Sequence, residues 1–371
     1  MIRSSSRRDP SPKIAVADRP LVVTADDRLL DDLLRLAAAA GVELEVAHDA
    51  AAARLRWSPA PLVVIGDDQA AALAALAPVR RHGVLLIASD VDDADVWRRG
   101  VALGADQVLF FPADEPWLAD RFADAAEGES GEALVVGVVG GRGGAGASVF
   151  ATALAVTASR RGLSAMLVDL DPLGGGLDLV LGAEHVSGLR WPELADSRGR
   201  LGARALQAEL PARQGLTVVS CDRRDLPSLP AEAVAAVVAA GRRGCDVVVL
   251  DLPRRLHPAI DEVIASCACV ALVVPTEVRA VAAASRMAAA LTTIAPSVRV
   301  VARGPSSSGL DGAAVASALG LPLAADMPAE PRLTEQLDRG EPPGLDAKGP
   351  LAAGCATFLD DLLFDHRVRV A

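Results

Sequence analysis

Lysine is nearly absent from this chain of 371 residues, which carries only Lys13 and Lys348, and tyrosine is absent altogether. No lysine occurs between these two positions. Positive charge is scarce as a whole: 37 Lys and Arg face 48 Asp and Glu, for a formal net charge of -11. A general nucleic-acid binder needs clustered basic surface for phosphate contacts, and an electrostatic hold on anionic lipid needs the same. Both classes are disfavoured. No CxxC pair occurs among Cys221, Cys245, Cys267, Cys269 and Cys355, and the histidines are scattered without ligand spacing. Buried free thiols in a reducing cytoplasm are expected rather than disulfides or a metal site, with Cys267 and Cys269 sharing one face of an apolar strand. No apolar run reaches the ~18 residues that a membrane-spanning helix needs. Residues 1–18 are rich in Ser, Arg and Pro, lack the apolar core of a signal peptide, and read as a disordered tail. The protein is expected to be cytoplasmic.

What the chain does have is apolar residues, 51% of the total, and a length that suits two domains. From Pro20 short apolar runs alternate with amphipathic stretches. Strands are predicted at 21–23, 61–65, 83–88 and 108–111, with helical spacing over 29–40 and 115–126. A polar, glycine-containing stretch closes this series, and residues 128–132 read as a linker. A second series then places strands at 133–139, 165–169, 216–220, 246–251, 269–274, 298–302 and 321–325, most of them separated by helical stretches. Such alternation implies parallel sheets with helices on both faces. The chain is read as a disordered tail (1–18), an α/β domain (19–127), the linker, and a second α/β domain (133–371).

The second domain opens with strand, glycine loop and helix: after 133–139 come Gly140-Gly141-Arg142-Gly143-Gly144-Ala145-Gly146-Ala147-Ser148, then an apolar helix from Val149. Backbone N–H groups converge on an anion only where side chains do not obstruct them, and a helix N-terminus adds a favourable dipole. Taken alone, the loop is equally a tight strand–helix turn without a ligand. Two further features add weight. The strand 165–169 runs into Asp169-Leu170-Asp171-Pro172 and then Gly174-Gly175-Gly176. The strand 246–251 ends in Asp251-Leu252-Pro253, where a carboxylate beside a phosphate loop holds Mg²⁺ through water.

This set resembles the MinD/ParA family of deviant-Walker P-loop ATPases, from about residue 133 to 344. The family loop reads K-G-G-x-G-K-[ST], its second strand ends in D-x-D-P-x-G, and its Walker B strand ends in D-x-P. The resemblance implies ATP or ADP with Mg²⁺ in a cradle of Gly141, Arg142, Gly143, Gly144, Ala145, Gly146, Ala147, Ser148 and Val149. Ser148 and Asp251 would serve the metal, Asp171 would orient the attacking water, and Met327-Pro328-Ala329 would lie near the adenine, with residues 337–340 in the same closing segment. The departures are specific. Arg142 stands where the family's signature lysine reaches across a dimer, and Ala147 stands where the Walker lysine meets the β- and γ-phosphates. Arg142 still offers a positive charge, but nothing replaces the one lost at Ala147, and charge stabilisation is the main catalytic term in phosphoryl transfer. The asparagine of the family's adenine-contacting N-[RK] reads as Arg303-Gly304.

Residues 20–126 resemble a response-regulator receiver domain of flavodoxin-like fold. Asp26 and Asp27 follow the first strand, Asp67 falls near the place of the phospho-accepting aspartate, and Gly104-Ala105-Asp106 with Phe111-Pro112 resembles the closing "G-A-D … K-P". Phe111 replaces the lysine of that motif, so a fixed docking domain is expected in place of a phosphorylation switch. A receiver-like domain ahead of a MinD-type domain is the layout of the CpaE family, and the wording of the motifs is similar to the actinobacterial CpaE-like proteins termed septum-site-determining. Three functions follow as alternatives: a regulator of division-site, secretion or pilus placement with a degenerate ATP site; a working ATPase; and a scaffold whose loop binds nothing. Partners of the division or secretion/pilus apparatus are implied, a homodimer is left open, and no specific nucleic acid is expected. Acids flank the apolar face of 358–366, so that helix is expected to pack on the core. Nothing indicates peripheral membrane association except through partners.

Overall fold

The computed structural model describes residues 19–127 and 133–370 except 89, 92, 94, 198, 225–227 and 305–308. The expected tail (1–18) and linker (128–132) lie outside the described residues. The chain divides into two units, Met1–Glu129 and Ser130–Ala371.

In the first unit β1 (Leu21–Val23), β2 (Glu45–Ala47), β3 (Val63–Gly66), β4 (Val84–Ala88) and β5 (Gln107–Phe110) form a parallel sheet in the order β2-β1-β3-β4-β5. Short β-branched and leucine runs make the central strands, which are buried throughout: β1, β3 and β4 have no exposed residue. Alternation divides their side chains between two layers, Leu21, Val23, Val63 and Ile65 on one face and Val22, Val64, Leu85 and Ile87 on the other. The helix Asp27–Ala39 begins where the Asp26 carboxylate accepts the N–H groups of Arg28 and Leu29. The periodicity missed β2, whose three residues are too few and too polar to give an apolar signal.

The second unit holds an eight-stranded sheet in the order β13-β12-β11-β6-β10-β7-β9-β8. Its strands are β6 (Leu134–Gly140), β7 (Ala165–Asp169), β8 (Ala212–Arg213), β9 (Leu216–Val219), β10 (Val247–Asp251), β11 (Cys269–Pro275), β12 (Val298–Arg303) and β13 (Leu323–Met327). All pairings are parallel except β8 with β9. Ala133, Val135 and Val139 face the helices Ala231–Gly244, Pro258–Ala265, Val278–Leu291 and Gly312–Leu319. Leu134, Val136 and Val138 face the helices Ala147–Arg160 and Pro350–Val370. The first of this last pair is buried from Phe150 to Ala158 without a polar face, which an isolated surface helix could not tolerate. The terminal helix covers it, with Phe358, Leu359 and Leu362 buried and the Phe150 and Phe358 rings 5.9 Å apart. Its C-terminal part leaves Phe364 exposed, while the Arg299 guanidinium donates to Asp365.

All five cysteines are free and buried, and burial pushes the Cys245 thiol up to about 11 and Cys267 to about 12. One expectation fails. Cys267 precedes β11 in the turn closing the helix Pro258–Ala265, and its side chain belongs to one layer while Cys269 on the strand belongs to the other. Two-residue periodicity holds only within a strand, and Cys267 lies outside it.

Truncating Phe358 removes a fully buried ring from the seat of the phosphate-loop helix. Phe358→Ala is expected to destabilise the second unit by about 3–5 kcal/mol, read as a lower urea midpoint followed through the buried Trp191. An unchanged midpoint would place the terminal helix outside the cooperative unit.

Candidate functional site

Strand β6 sits between β10 and β11, so the connection leaving it must pass over β10 to reach β7. In open parallel sheets that point of reversal, at the carboxyl ends of the strands, is where a crevice opens. The glycine loop lies there. Its glycines divide into two kinds. Gly141 donates its N–H to the Val273 carbonyl at 2.9 Å, and a Cβ on it would come within 2.6 Å of the Ala284 side chain. Gly141 therefore serves the packing of the strand end and offers no N–H to a ligand, contrary to its place in the expected cradle. Gly143 and Gly144 are open, with nothing within 4 Å of an added Cβ, and Gly144 and Gly146 hold φ of +70° and +95°. Ala145 is buried beneath them. Ala147, Ser148 and Val149 start the helix Ala147–Arg160, where N–H groups have no intrahelical acceptor.

Three carboxylates gather beside the loop. Asp251, at the end of β10, is pushed up to about 7 by burial; a hydrogen bond with the Ser148 side chain opposes the shift, and the charges of Asp169 and Asp171 reinforce it. Asp169, at the end of β7, is pushed up to about 6 by burial, against hydrogen bonds from the N–H groups of Asp171, Leu177 and Cys221. The Trp191 indole N–H donates to the Asp169 carbonyl at 2.5 Å. Asp171 is half-buried, its N–H on Asp169 and its own carboxylate accepting the Leu173 N–H. Ser148, Asp251 and Asp171 are thus brought together as the sequence grouped them. Asp169, their buried neighbour, was read only as part of the strand; the signal was a carboxylate inside a five-residue apolar strand.

The donor set suits a hard cation. Among the described residues no three or more His, Cys, Asp or Glu side chains are grouped to hold a metal. A cation at Ser148 and Asp251 must therefore complete its shell with water or ligand oxygens, the habit of Mg²⁺. The negative charge accumulated on the carboxylates favours such an ion.

The loop's own cation is committed elsewhere. The Arg142 guanidinium meets both carboxylate oxygens of Glu277 at 3.0 and 2.9 Å, and its Nε is buried without a partner. That pair is partly exposed and contributes little stability, but it fixes where the charge sits. Beyond Gly146 a cleft of about 530 Å³ is walled by Val149, Phe150, Val273, Met327 and Pro328 and edged by Glu277, Arg303, Glu330 and Arg332. Its size, and a lining that mixes apolar side chains with charged ones, match a small-molecule site. Pro328 and Val149 both line this cleft. The closing segment is corrected: residues 332–335 border the cleft and Gly340 does not, its carbonyl abutting Gly182 instead. Arg303, an arginine at the carboxyl end of a strand, reaches back to the loop, with Nη1 3.4 Å from a Cβ built on Gly146.

In the first unit the acids are engaged in the fold. Arg99 forks onto Asp67 at 2.7 and 2.9 Å and also meets Asp93. Asp68 accepts from the Thr24 hydroxyl and the Ala25 N–H, and Asp26 caps its helix. Asp27 is exposed.

Two tests follow. Asp251 and Asp169 ionise near the ordinary ~3.9 when unfolded but only at about 7 and about 6 when folded. The fold therefore holds more protons between those limits, and its stability falls as pH rises from about 4 to about 7. Asp251→Asn in chelator-treated buffer is expected to flatten that slope; an identical pH profile would contradict the assignment. Asp67, neutralised by Arg99, is expected to take no phosphoryl group from acetyl phosphate with Mg²⁺, and a phosphorylated species by intact mass would contradict this.

Residues 23–133 match the family described as Rv3660c-like, CheY-like N-terminal domain. The protein Rv3660c of Mycobacterium tuberculosis (strain ATCC 25618 / H37Rv) is 44% identical over 319 residues, covering 85% of this chain and 90% of that protein. Among solved structures, a ParA family ATPase from Chlorobium tepidum TLS aligns with a TM-score of 0.54 at 16% identity, over 62% of this chain and 98% of that one. The cell division ATPase MinD of Pyrococcus furiosus aligns with a TM-score of 0.51 at 19% identity, over 62% and 97%. The chain belongs to the Rv3660c-like family, and its CheY-like N-terminal domain is followed by a domain with the fold of the MinD and ParA P-loop ATPases.

Proposed function

We propose that this protein is a regulatory relative of MinD, acting through protein partners in septum-site determination or in placement of an envelope secretion or pilus machine. Its nucleotide site is degenerate: it takes Mg-ATP or Mg-ADP weakly and hydrolyses slowly. The observation that carries this reading is the fate of the two loop cations. Ala147 has no charge to give, and Arg142 is forked onto Glu277 within the same chain, so neither is free to meet a phosphoryl group that accumulates charge.

Gly143, Gly144, Gly146, Ala147, Ser148 and Val149 would cradle the phosphates through their N–H groups, and the cleft at Pro328 would take the base. Ser148 and Asp251 would hold Mg²⁺, whose part when bound is to neutralise phosphate charge. Asp171 would position water, which without a cation opposite it is insufficient for rapid turnover. The receiver-like domain would serve as a fixed docking module, since Asp67 is already held by Arg99, Asp68 by Thr24 and Ala25, and Asp26 by its own helix. That the structural relatives include a MinC:MinD cell division complex supports a protein partner for this chain, and the acidic net charge supports no specific nucleic acid. No described helix is long and apolar enough to cross a membrane, so any membrane association of this reading runs through partners.

Calorimetric titration of the full chain with Mg-ATP and Mg-ADP, beside Ala147→Lys, tests the reading. The native chain is expected to bind at least about tenfold more weakly than the variant, the scale of one charge-assisted contact, and to release phosphate no faster than Asp171→Ala. Rapid release lost in Asp171→Ala would establish a working ATPase. Absence of binding in both proteins would leave a scaffold.

A further inference from the structure

The loop's own cation is held by Glu277, and of the two cleft arginines without a side-chain partner among the described residues, Arg303 and Arg332, Arg303 is the one that reaches the loop at Gly146. We propose that Arg303 is the group that meets the α- and β-phosphates of the bound nucleotide, in place of the missing lysines; this rests on the reading that the loop receives a nucleotide. Arg303 closes β12 at the carboxyl edge of the sheet, and its guanidinium lies over Gly146, with Nη1 3.4 Å and Cζ 3.9 Å from the position of an added Cβ. Glycine at 146 makes that approach comfortable and holds φ at +95°, where an L side chain would be strained.

The contrast with Arg142 is the core of the argument. Arg142 is held by Glu277, whereas the Arg303 guanidinium has neither an ion pair nor a hydrogen bond among the described residues; only its backbone is engaged, the carbonyl accepting the Thr276 N–H at 3.0 Å. Of the three acids that line the cleft, Glu277 is on Arg142, Glu330 accepts the Leu351 N–H at 2.8 Å, and Glu335 is not paired with Arg303 among the described residues. A free, planar fork of donors beside open backbone N–H groups is suited to phosphate oxygens.

The position also sets which phosphates it meets. Arg303 lines the same cleft as Val149, Phe150 and Pro328 and lies over the loop at Gly146, so on this reading it approaches the phosphates from the base side. The far end of the loop, served in the family by the residue at 147, keeps no cation. Binding is therefore expected without discrimination between ADP and ATP, and retention of nucleotide is separated from hydrolysis.

The test is calorimetry on the full chain with Mg-ADP and Mg-ATP. Wild type is expected to bind the two within about threefold of each other, and Arg303→Ala to weaken both by about tenfold or more. Arg303→Lys should retain most of the affinity, added KCl should weaken wild type more than Arg303→Ala, and Ala147→Lys introduced into Arg303→Ala should restore binding. The urea transition of Arg303→Ala should match wild type, because the side chain is exposed. Wild-type affinity in Arg303→Ala overturns the proposal, as does an Arg303→Lys as weak as Arg303→Ala with the same salt dependence. Binding by Ala147→Lys but not by wild type leaves the nucleotide fold standing and sinks Arg303 alone. Failure of both to bind removes the nucleotide reading itself.

Discussion

The second domain depends on one constraint: a parallel sheet buried on both faces can open to solvent only at its strand ends. Strands β6, β10, β7 and β11 are buried residue by residue, and helices cover both layers. The polar groups of the candidate site lie at the carboxyl edge, where the loops after β6, β7, β10 and β12 converge. Asp169 and Asp251 sit at the boundary between core and crevice, and both feel it. They are desolvated enough to rise toward neutral pH, yet each keeps hydrogen-bond donors that only the adjoining loops supply.

That boundary makes charge balance the central problem of the site. Asp169, Asp171 and Asp251 gather on one side of the loop, and in the expected P-loop arrangement lysines face such acids across the bound anion. Here one lysine position is alanine and the other an arginine occupied by Glu277. Burial, with the charges of the neighbouring acids added to it, makes Asp169 and Asp251 bind protons more tightly, which stabilises the fold at lower pH. A bound divalent ion relieves that accumulated charge directly. On the function proposed above, these acids would favour a metal-loaded ligand over a bare one.

How far the sequence could be read follows from which interactions are local. The strand–loop–helix run at residues 133–160, the carboxylates ending β7 and β10, and the receiver-like order of elements all show in short windows, because period and turn chemistry are local properties. Ser148, Asp171 and Asp251 could be grouped for the same reason. The Arg142–Glu277 fork joins residues 135 apart, and Arg303 reaches the loop from a different crossover, so neither partner was visible. Gly141 shows the opposite error: a glycine inside a glycine loop looked like cradle, but Ala284, on a distant helix, decides its role. Cys267 failed for a smaller reason, lying just before the strand whose period was applied to it.

The receiver-like domain carries the same lesson into mechanism. Its acids stand in the order that suggests a phosphoryl site, but Asp67 is met by Arg99, Asp68 by Thr24 and Ala25, and Asp26 by its own helix. A carboxylate already forked onto a guanidinium must lose that partner before it can serve as a nucleophile, and the partner keeps its charge when the phosphoryl donor arrives. Each acid has thereby become part of what fixes a loop. In both domains, then, groups placed for phosphate chemistry have been tied into the fold by arginine–carboxylate forks. At the glycine loop of the second domain the Arg303 guanidinium is not tied in this way among the described residues, and it lies over Gly146, where the proposed ligand would meet it.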